Sequence, residues 1–278
     1  MECRACAKLN LYLDITGILP DGYHALCSVM QSIDLYDTVK VGLADTVHLT
    51  VDKRYIPTDE RNTAFKAAKA FFNATGINGG AEISIRKIIP VGAGMAGGSA
   101  DAAAVLNLLN ILYGMPLSNE ELSAVALKVG ADVPFCLEGG TMLAEGKGEK
   151  LTRLPRLAKC FFVVVKPDFS VSSKEAYGMF DEQGGDCPPV DGIIEGLKKR
   201  NIRDICAAMG NDLERCIASS HPEINDIKNK LCSMGAIGAM MTGSGSAVFG
   251  VFEDITQARK VAEELKQSRH RVFVCRPV

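Results

Sequence analysis

The residues best suited to chemistry lie in the stretch 90–106, Pro-Val-Gly-Ala-Gly-Met-Ala-Gly-Gly-Ser-Ala-Asp-Ala-Ala-Ala-Val-Leu, where four glycines fall within seven residues and run into alanines. Glycine reaches positive φ at little cost and lets a ligand approach the main chain. Val105, Leu108, Leu109 and Leu112 then share one helix face, Gly114 and Pro116 end it, and Ser99 is the predicted N-cap. The unpaired N–H groups and positive dipole end of such a helix favour a phosphate group. A glycine-rich turn with no ligand is the plainer alternative.

Gly92-x-Gly94-x-x-Gly97 alone does not say which phosphate loop this is, because dinucleotide-binding folds and protein kinases both use that spacing. Gly97-Gly98-Ser99 lacks the lysine of a Walker A loop. A dinucleotide fingerprint calls for a second strand ending in an acidic residue, whereas a second helix follows here.

Asp132, in Ala131-Asp132-Val133-Pro134-Phe135, has two readings. It could cap local N–H groups, or it could accept the proton of a hydroxyl that attacks a phosphoryl group. Apolar residues at every second position make residues 4–16 a strand whose other face carries Lys8, Asn10, Tyr12 and Asp14. Tyr23 and His24 close the turn that follows, placed either to meet a ring or simply to pack. A second small-residue loop, Thr242-Gly243-Ser244-Gly245-Ser246, is a tight hairpin turn or an anion-binding nest facing the first loop.

These residues need a scaffold. The pattern predicts strands at 26–33, 38–42, 46–52 and 81–85, and helices at 62–74, after Ser99, and from Ser118 with Glu121 as a capping box. Beyond residue 155 it predicts a strand at 160–166, a helix at 222–234, and a closing strand, loop, strand, helix, strand order over 239–275. A domain boundary is expected near residue 155, giving domains 1–154 and 155–278.

With 31 basic and 33 acidic residues the chain has a net charge of −2, so nothing electrostatic favours nucleic acid. There is no apolar run of membrane-spanning length, and a soluble cytoplasmic protein is expected. The 10 cysteines are scattered through apolar segments, the behaviour of small buried hydrophobes rather than of a disulfide or zinc framework.

Taken together, the Lys8 strand, the 90–106 loop and the 242–249 loop resemble those of the GHMP small-molecule kinase superfamily, in order along essentially the whole chain. Ala7-Lys8-Leu9-Asn10-Leu11-Tyr12-Leu13, Asp21-Gly22-Tyr23-His24, Ala131-Asp132-Val133-Pro134-Phe135 and Asn211-Asp212-Leu213-Glu214 narrow the likeness to members acting on a diphosphocytidyl methylerythritol. The resemblance implies an α+β fold of two domains, the first like the second domain of ribosomal protein S5 and the second ferredoxin-like. It implies transfer of the ATP γ-phosphoryl group, with Mg²⁺, to the 2-hydroxyl of that conjugate in non-mevalonate isoprenoid synthesis. The implied partners are small molecules, with no nucleic acid or membrane, on a monomer or weak homodimer.

Carried over residue by residue, the resemblance makes Asp132 the base and Lys8 its charge partner. The nucleotide side takes Pro90, Gly92, Ala93, Gly94, Met95, Ala96, Gly97, Gly98 and Ser99, with Asn62 and Lys87, and Ser99 is the one candidate Mg²⁺ ligand. Asn10, Tyr23, His24, Ser173, Tyr177, Gly243 and Ser244 fall on the substrate side. Ser173 stands where many members have Thr, and Glu145 where a basic residue is common. Ala93 and Ala96 replace glycines of some members, which the loop accommodates if both keep negative φ. A homoserine- or mevalonate-type sibling kinase, a dinucleotide-dependent oxidoreductase and an RNA-binding module remain the alternatives.

Overall fold

The computed structural model describes residues 1–267 and 269–278. In chain order its elements are β1 (Glu2–Ile18), β2 (His24–Ala44), β3 (His48–Val51), α1 (Thr63–Thr75), β4 (Gly80–Arg86), α2 (Gly97–Leu112), α3 (Asn119–Val129), α4 (Val133–Glu138), β5 (Thr141–Gly146) and β6 (Lys150–Arg153). There follow β7 (Phe161–Lys166), α5 (Ser173–Gln183), α6 (Asp191–Lys199), α7 (Ile202–Ala207), β8 (Gly210–Asn211), α8 (Asp212–Ser220), α9 (Glu223–Ser233), β9 (Gly238–Met241), β10 (Val248–Phe252), α10 (Ile255–Leu265) and β11 (Arg271–Cys275). The chain divides into two compact units, and each is built from more than one stretch of sequence.

The first unit comprises Met1–Lys8, Leu35–Ile89 and Ala96–Gly139. Here β4 lies between β2, to which it is antiparallel, and β3, to which it is parallel. Ile83 and Ile85 of β4 point inward while Glu82, Ser84 and Arg86 are exposed, the alternation of a sheet with one buried face. That face packs on α1 and α2 through Phe71, Ala68, Val105 and Leu109. α2 is buried nearly all round at Ala100, Ala102, Ala103 and Ala104, whose small side chains let it lie close to its neighbours. The Ser118–Glu121 capping box opens α3 as expected.

The second unit comprises Leu9–Asp34, Pro90–Met95 and Gly140–Val278. Its antiparallel sheet has the order β11-β7-β10-β9, and Val163, Val165, Val248 and Phe252 pack against α9 and α10 through Leu231, Val261 and Leu265. Residues 26–31 of β2 pair antiparallel with β5, and Tyr12 and Leu13 pair parallel with β8.

Three expectations change. Residues 26–33 and 38–42 are not two strands: β2 runs unbroken through Asp34-Leu35-Tyr36-Asp37, because both acidic side chains are answered by distant groups. Arg276 binds Asp34, and Lys87 with the Ile88 and Ile89 amides binds Asp37. α2 begins at Gly97 with Ala96 as its N-cap, so Ser99 lies inside the first turn. Ala96 itself has φ of +55°, so the condition of negative φ set for the alanines of the loop is not met there, and an alanine occupies a conformation that glycine adopts more easily.

Candidate active site

In the first unit the side chains of Lys8 and Asp132 meet. Asp132 heads α4 with helical φ and ψ and makes no capping bond, which removes the capping reading of this carboxylate. Its Oδ2 lies 3.9 Å from Lys8 Nζ, with Asp132 half-buried and Lys8 5 % exposed. Pro134 at the start of α4 fixes the turn that aims the carboxylate. Cys136, one helical turn on, is half-buried, and desolvation first, then the nearby Asp132 carboxylate, pushes its thiol far above the ordinary range, which disfavours the thiolate.

The first turn of α2 sits beside that of α1. Thr63 Oγ1 donates to Gly98 O at 2.8 Å, so two helix N-termini converge next to the second half of the glycine loop. Asn62 caps α1, accepting from Ala64 N while its amide donates to Pro57 O. It therefore stands near the loop with both polar ends engaged.

Lys87 is also committed. Its ammonium lies 2.5 Å from Asp37 Oδ2 and 2.6 Å from Asp101 Oδ2, all three residues being buried. Burial pulls the lysine pKa down, but the two carboxylates more than offset this and the net shift is upward. Asp101 is raised to about 7, first by burial, against which Lys87 acts, and its Oδ1 is buried without a hydrogen-bond partner. Asp37 Oδ1 also accepts from the Ile88 and Ile89 amides, and a Cβ on Gly97 would lie 3.4 Å from Lys87 Nζ. The buried cluster thus ties the strand end that enters the glycine loop to the helix turn that leaves it. Asp37 and Asp101 were not singled out from the sequence, since only the fold brings a partner 50 residues away to Lys87.

In the second unit the two small-residue loops touch. A Cβ on Gly94 would lie 2.1 Å from Thr242 O, and one on Gly243 would lie 2.8 Å from Gly94 O. Ala247 N donates to Ala93 O at 3.3 Å. Asn10, buried, donates from its backbone to Thr242 Oγ1 and from its side chain to Ser28 Oγ. Asn211 braces the second loop by donating to Met241 O and Gly243 O, both at 2.9 Å. Ser173 Oγ and Ser244 Oγ lie 3.4 Å apart at the head of α5.

His24 and Tyr177 are stacked, with centroids 4.7 Å apart. Tyr23 is 63 % exposed, with the Lys147 ammonium 4.2 Å above its ring. Lys147 also binds Asp21, whose carboxyl that hydrogen bond holds below the usual range.

The fit of Mg²⁺ is tested by the available oxygens. Among the described residues no group of three or more His, Cys, Asp or Glu could hold a metal. Ser99 Oγ, half-buried in the first turn of α2, is a hard oxygen donor that no hydrogen bond engages among the described residues. A single hydroxyl suits Mg²⁺ because this ion keeps substrate phosphates and waters for its other positions.

Residues 62–140 match the family model described as GHMP kinases N terminal domain, and residues 193–270 match GHMP kinases C terminal. A 4-diphosphocytidyl-2-C-methyl-D-erythritol kinase of Clostridium beijerinckii is 43 % identical over 280 residues, covering all of both chains. One of Clostridium botulinum is 45 % identical with the same coverage. A crystal structure of 4-(cytidine 5'-diphospho)-2C-methyl-D-erythritol kinase superposes with a TM-score of 0.83 at 34 % identity, covering 100 % of this chain and 99 % of the other. No helix among the described residues is long and apolar enough to cross a membrane. Matched along its whole length by such relatives, the chain belongs to the GHMP kinase family, among its 4-diphosphocytidyl-2-C-methyl-D-erythritol kinases.

Proposed function

We infer that the chain transfers the γ-phosphoryl group of ATP to the 2-hydroxyl of 4-diphosphocytidyl-2-C-methyl-D-erythritol, a step of non-mevalonate isoprenoid synthesis. The observation that carries the mechanism is the uncapped Asp132 carboxylate beside the buried Lys8 ammonium. As the hydroxyl oxygen bonds to the γ-phosphorus, its proton passes to Asp132 and the bond to the β-phosphate oxygen breaks, releasing ADP. Lys8 offsets the negative charge gathered there. Loop amides and the α2 N-terminus would hold the phosphates, the kind of fixed electrostatic stabilisation that dominates such transfers. Mg²⁺, bound with ATP and Ser99 Oγ, would neutralise phosphate charge.

On this reading Asn10, Tyr23, His24, Ser173, Tyr177, Gly243 and Ser244 bind the cytidine conjugate. Asn62 stays on the nucleotide side, while Lys87 shapes the loop rather than touching ATP. The matches at 62–140 and 193–270 fall on either side of a boundary at 154 and support an ATP-binding domain 1–154 and a second domain 155–278. The protein would act in the cytoplasm as a monomer or weak homodimer.

The test is ADP release by the purified protein with ATP, Mg²⁺ and the diphosphocytidyl substrate. Turnover of homoserine or mevalonate in its place would assign a sibling activity.

A further inference from the structure

α5 sets Tyr177, Phe180 and Asp181 at i, i+3 and i+4, on one helix face, and all three meet His24. Tyr177 stacks on the imidazole, Phe180 meets it edge-on with centroids 6.2 Å apart, and Asp181 Oδ1 lies 2.7 Å from Nε2. The His24 side chain is 16 % exposed and that of Asp181 50 %, so the ring is confined while the carboxylate stays wet.

An ionised carboxylate only accepts hydrogen bonds, so a contact of this length puts a proton on Nε2. In the neutral imidazole Nδ1 is then a bare acceptor. Among the described residues no hydrogen bond reaches it.

We propose that Asp181 is a positioning residue that sets base specificity: by holding the proton on His24 Nε2 it leaves Nδ1 as an acceptor that matches the 4-amino group of cytosine and opposes the 4-carbonyl oxygen of uracil. This rests on the assignment of His24 to the nucleobase made above. Cytosine and uracil offer nearly the same stacking surface, so Tyr23 and Tyr177 cannot tell them apart. They differ in donor and acceptor pattern, and uracil would set two acceptors against each other with neither satisfied. Without the carboxylate the ring is free to change tautomer and present an N–H, which uracil accepts.

The experiment is steady-state kinetics on the wild type, Asp181→Asn and Asp181→Glu, with the diphosphocytidyl substrate and its diphosphouridyl counterpart, together with nitrogen NMR of the His24 ring. Asparagine keeps the shape of Asp181 but can accept from or donate to Nε2, so it permits either tautomer. In Asp181→Asn the cytidyl-over-uridyl ratio of kcat/KM falls about tenfold, mainly through a higher KM for the cytidyl substrate, while KM for ATP stays constant. Glutamate restores part of the ratio, and NMR shows the Nε2–H tautomer in the wild type and a mixture in the asparagine variant. An unchanged ratio in Asp181→Asn, or an Nδ1–H tautomer in the wild type, overturns the proposal and leaves the kinase reading intact. A wild type with no preference for the cytidyl substrate overturns the nucleobase assignment and this proposal with it.

Discussion

Asp132 Oδ2 and Lys8 Nζ stand 3.9 Å apart, beyond hydrogen-bond length yet close enough for a strong charge interaction. No backbone N–H of the helix that Asp132 heads donates to its carboxylate, so local structure gives no reason for an acid at this position.

Asp132→Asn is therefore expected to lower kcat by about 10²–10⁴-fold, the usual effect of removing a general base. KM for ATP and the thermal midpoint should stay near wild type, because the side chain is half-buried and caps nothing. Coupled measurement of ADP release, with a melting curve on the same preparation, checks both. A variant retaining near-full kcat would dismiss Asp132 as the base.

The buried cluster leads to a stability prediction. Lys87→Met leaves Asp37 and Asp101 facing each other without a cation, and breaking such a buried arrangement costs about 3–5 kcal/mol. Asp101→Asn should cost much less, since Asp101 Oδ1 already lacks a partner and a neutral amide suits the site. Urea midpoints of the two variants give the ordering. If Lys87→Met were as stable as the wild type while binding ATP less tightly, Lys87 would be a nucleotide contact after all.

These residues also show which parts of the molecule were legible in sequence. The glycine loop, the α3 capping box and Asp132 stood out because each depends on local chemistry: positive φ, a side chain bonding three residues on, an acid beside a proline. The continuity of β2 did not, because Asp34 and Asp37 look like a break until Arg276 and Lys87 are folded against them. Asp181 gave no signal, since its partner His24 lies 157 positions away. The helix start was misplaced because Ser99 is the better capping residue by type, whereas the tight loop forces Ala96 into the left-handed region.

That last feature is testable. An alanine in the left-handed region costs about 1–2 kcal/mol, and replacing it by glycine returns about 0.4–1 kcal/mol of unfolded-state entropy cost. Ala96→Gly should therefore stabilise the protein by about 0.5–1 kcal/mol, and Ala96→Val should destabilise it. Thermal melts of the pair decide; a destabilised glycine variant would mean that Cβ packing at position 96 outweighs the torsion.

Asp14 supplies a pH signature. Burial, and then the neighbouring Asp212, raise its carboxyl above the usual range. The folded chain then holds a proton that the unfolded chain has released, so this contribution to stability is present at acid pH and is lost as pH rises through the raised Asp14 titration. Asp14→Asn should flatten the stability curve over that interval and leave the variant more stable than the wild type at pH about 8. Urea unfolding of both proteins across pH measures the difference, and parallel curves would show that Asp14 titrates normally.

Gly94 and Gly243 carry a final consequence, for mutability. Gly22 and Gly114, with φ of +82° and +81°, have open space where a Cβ would go, so only backbone torsion restricts them. At 94 and 243 the obstructing atoms, Thr242 O and Gly94 O, belong to the opposing main chain. A library randomised at all four positions and sorted for folded protein should recover Asn or Asp at 22 and 114 and glycine alone at 94 and 243. No second-site substitution can make room there, because the obstruction is present whatever side chain Thr242 or its neighbours carry.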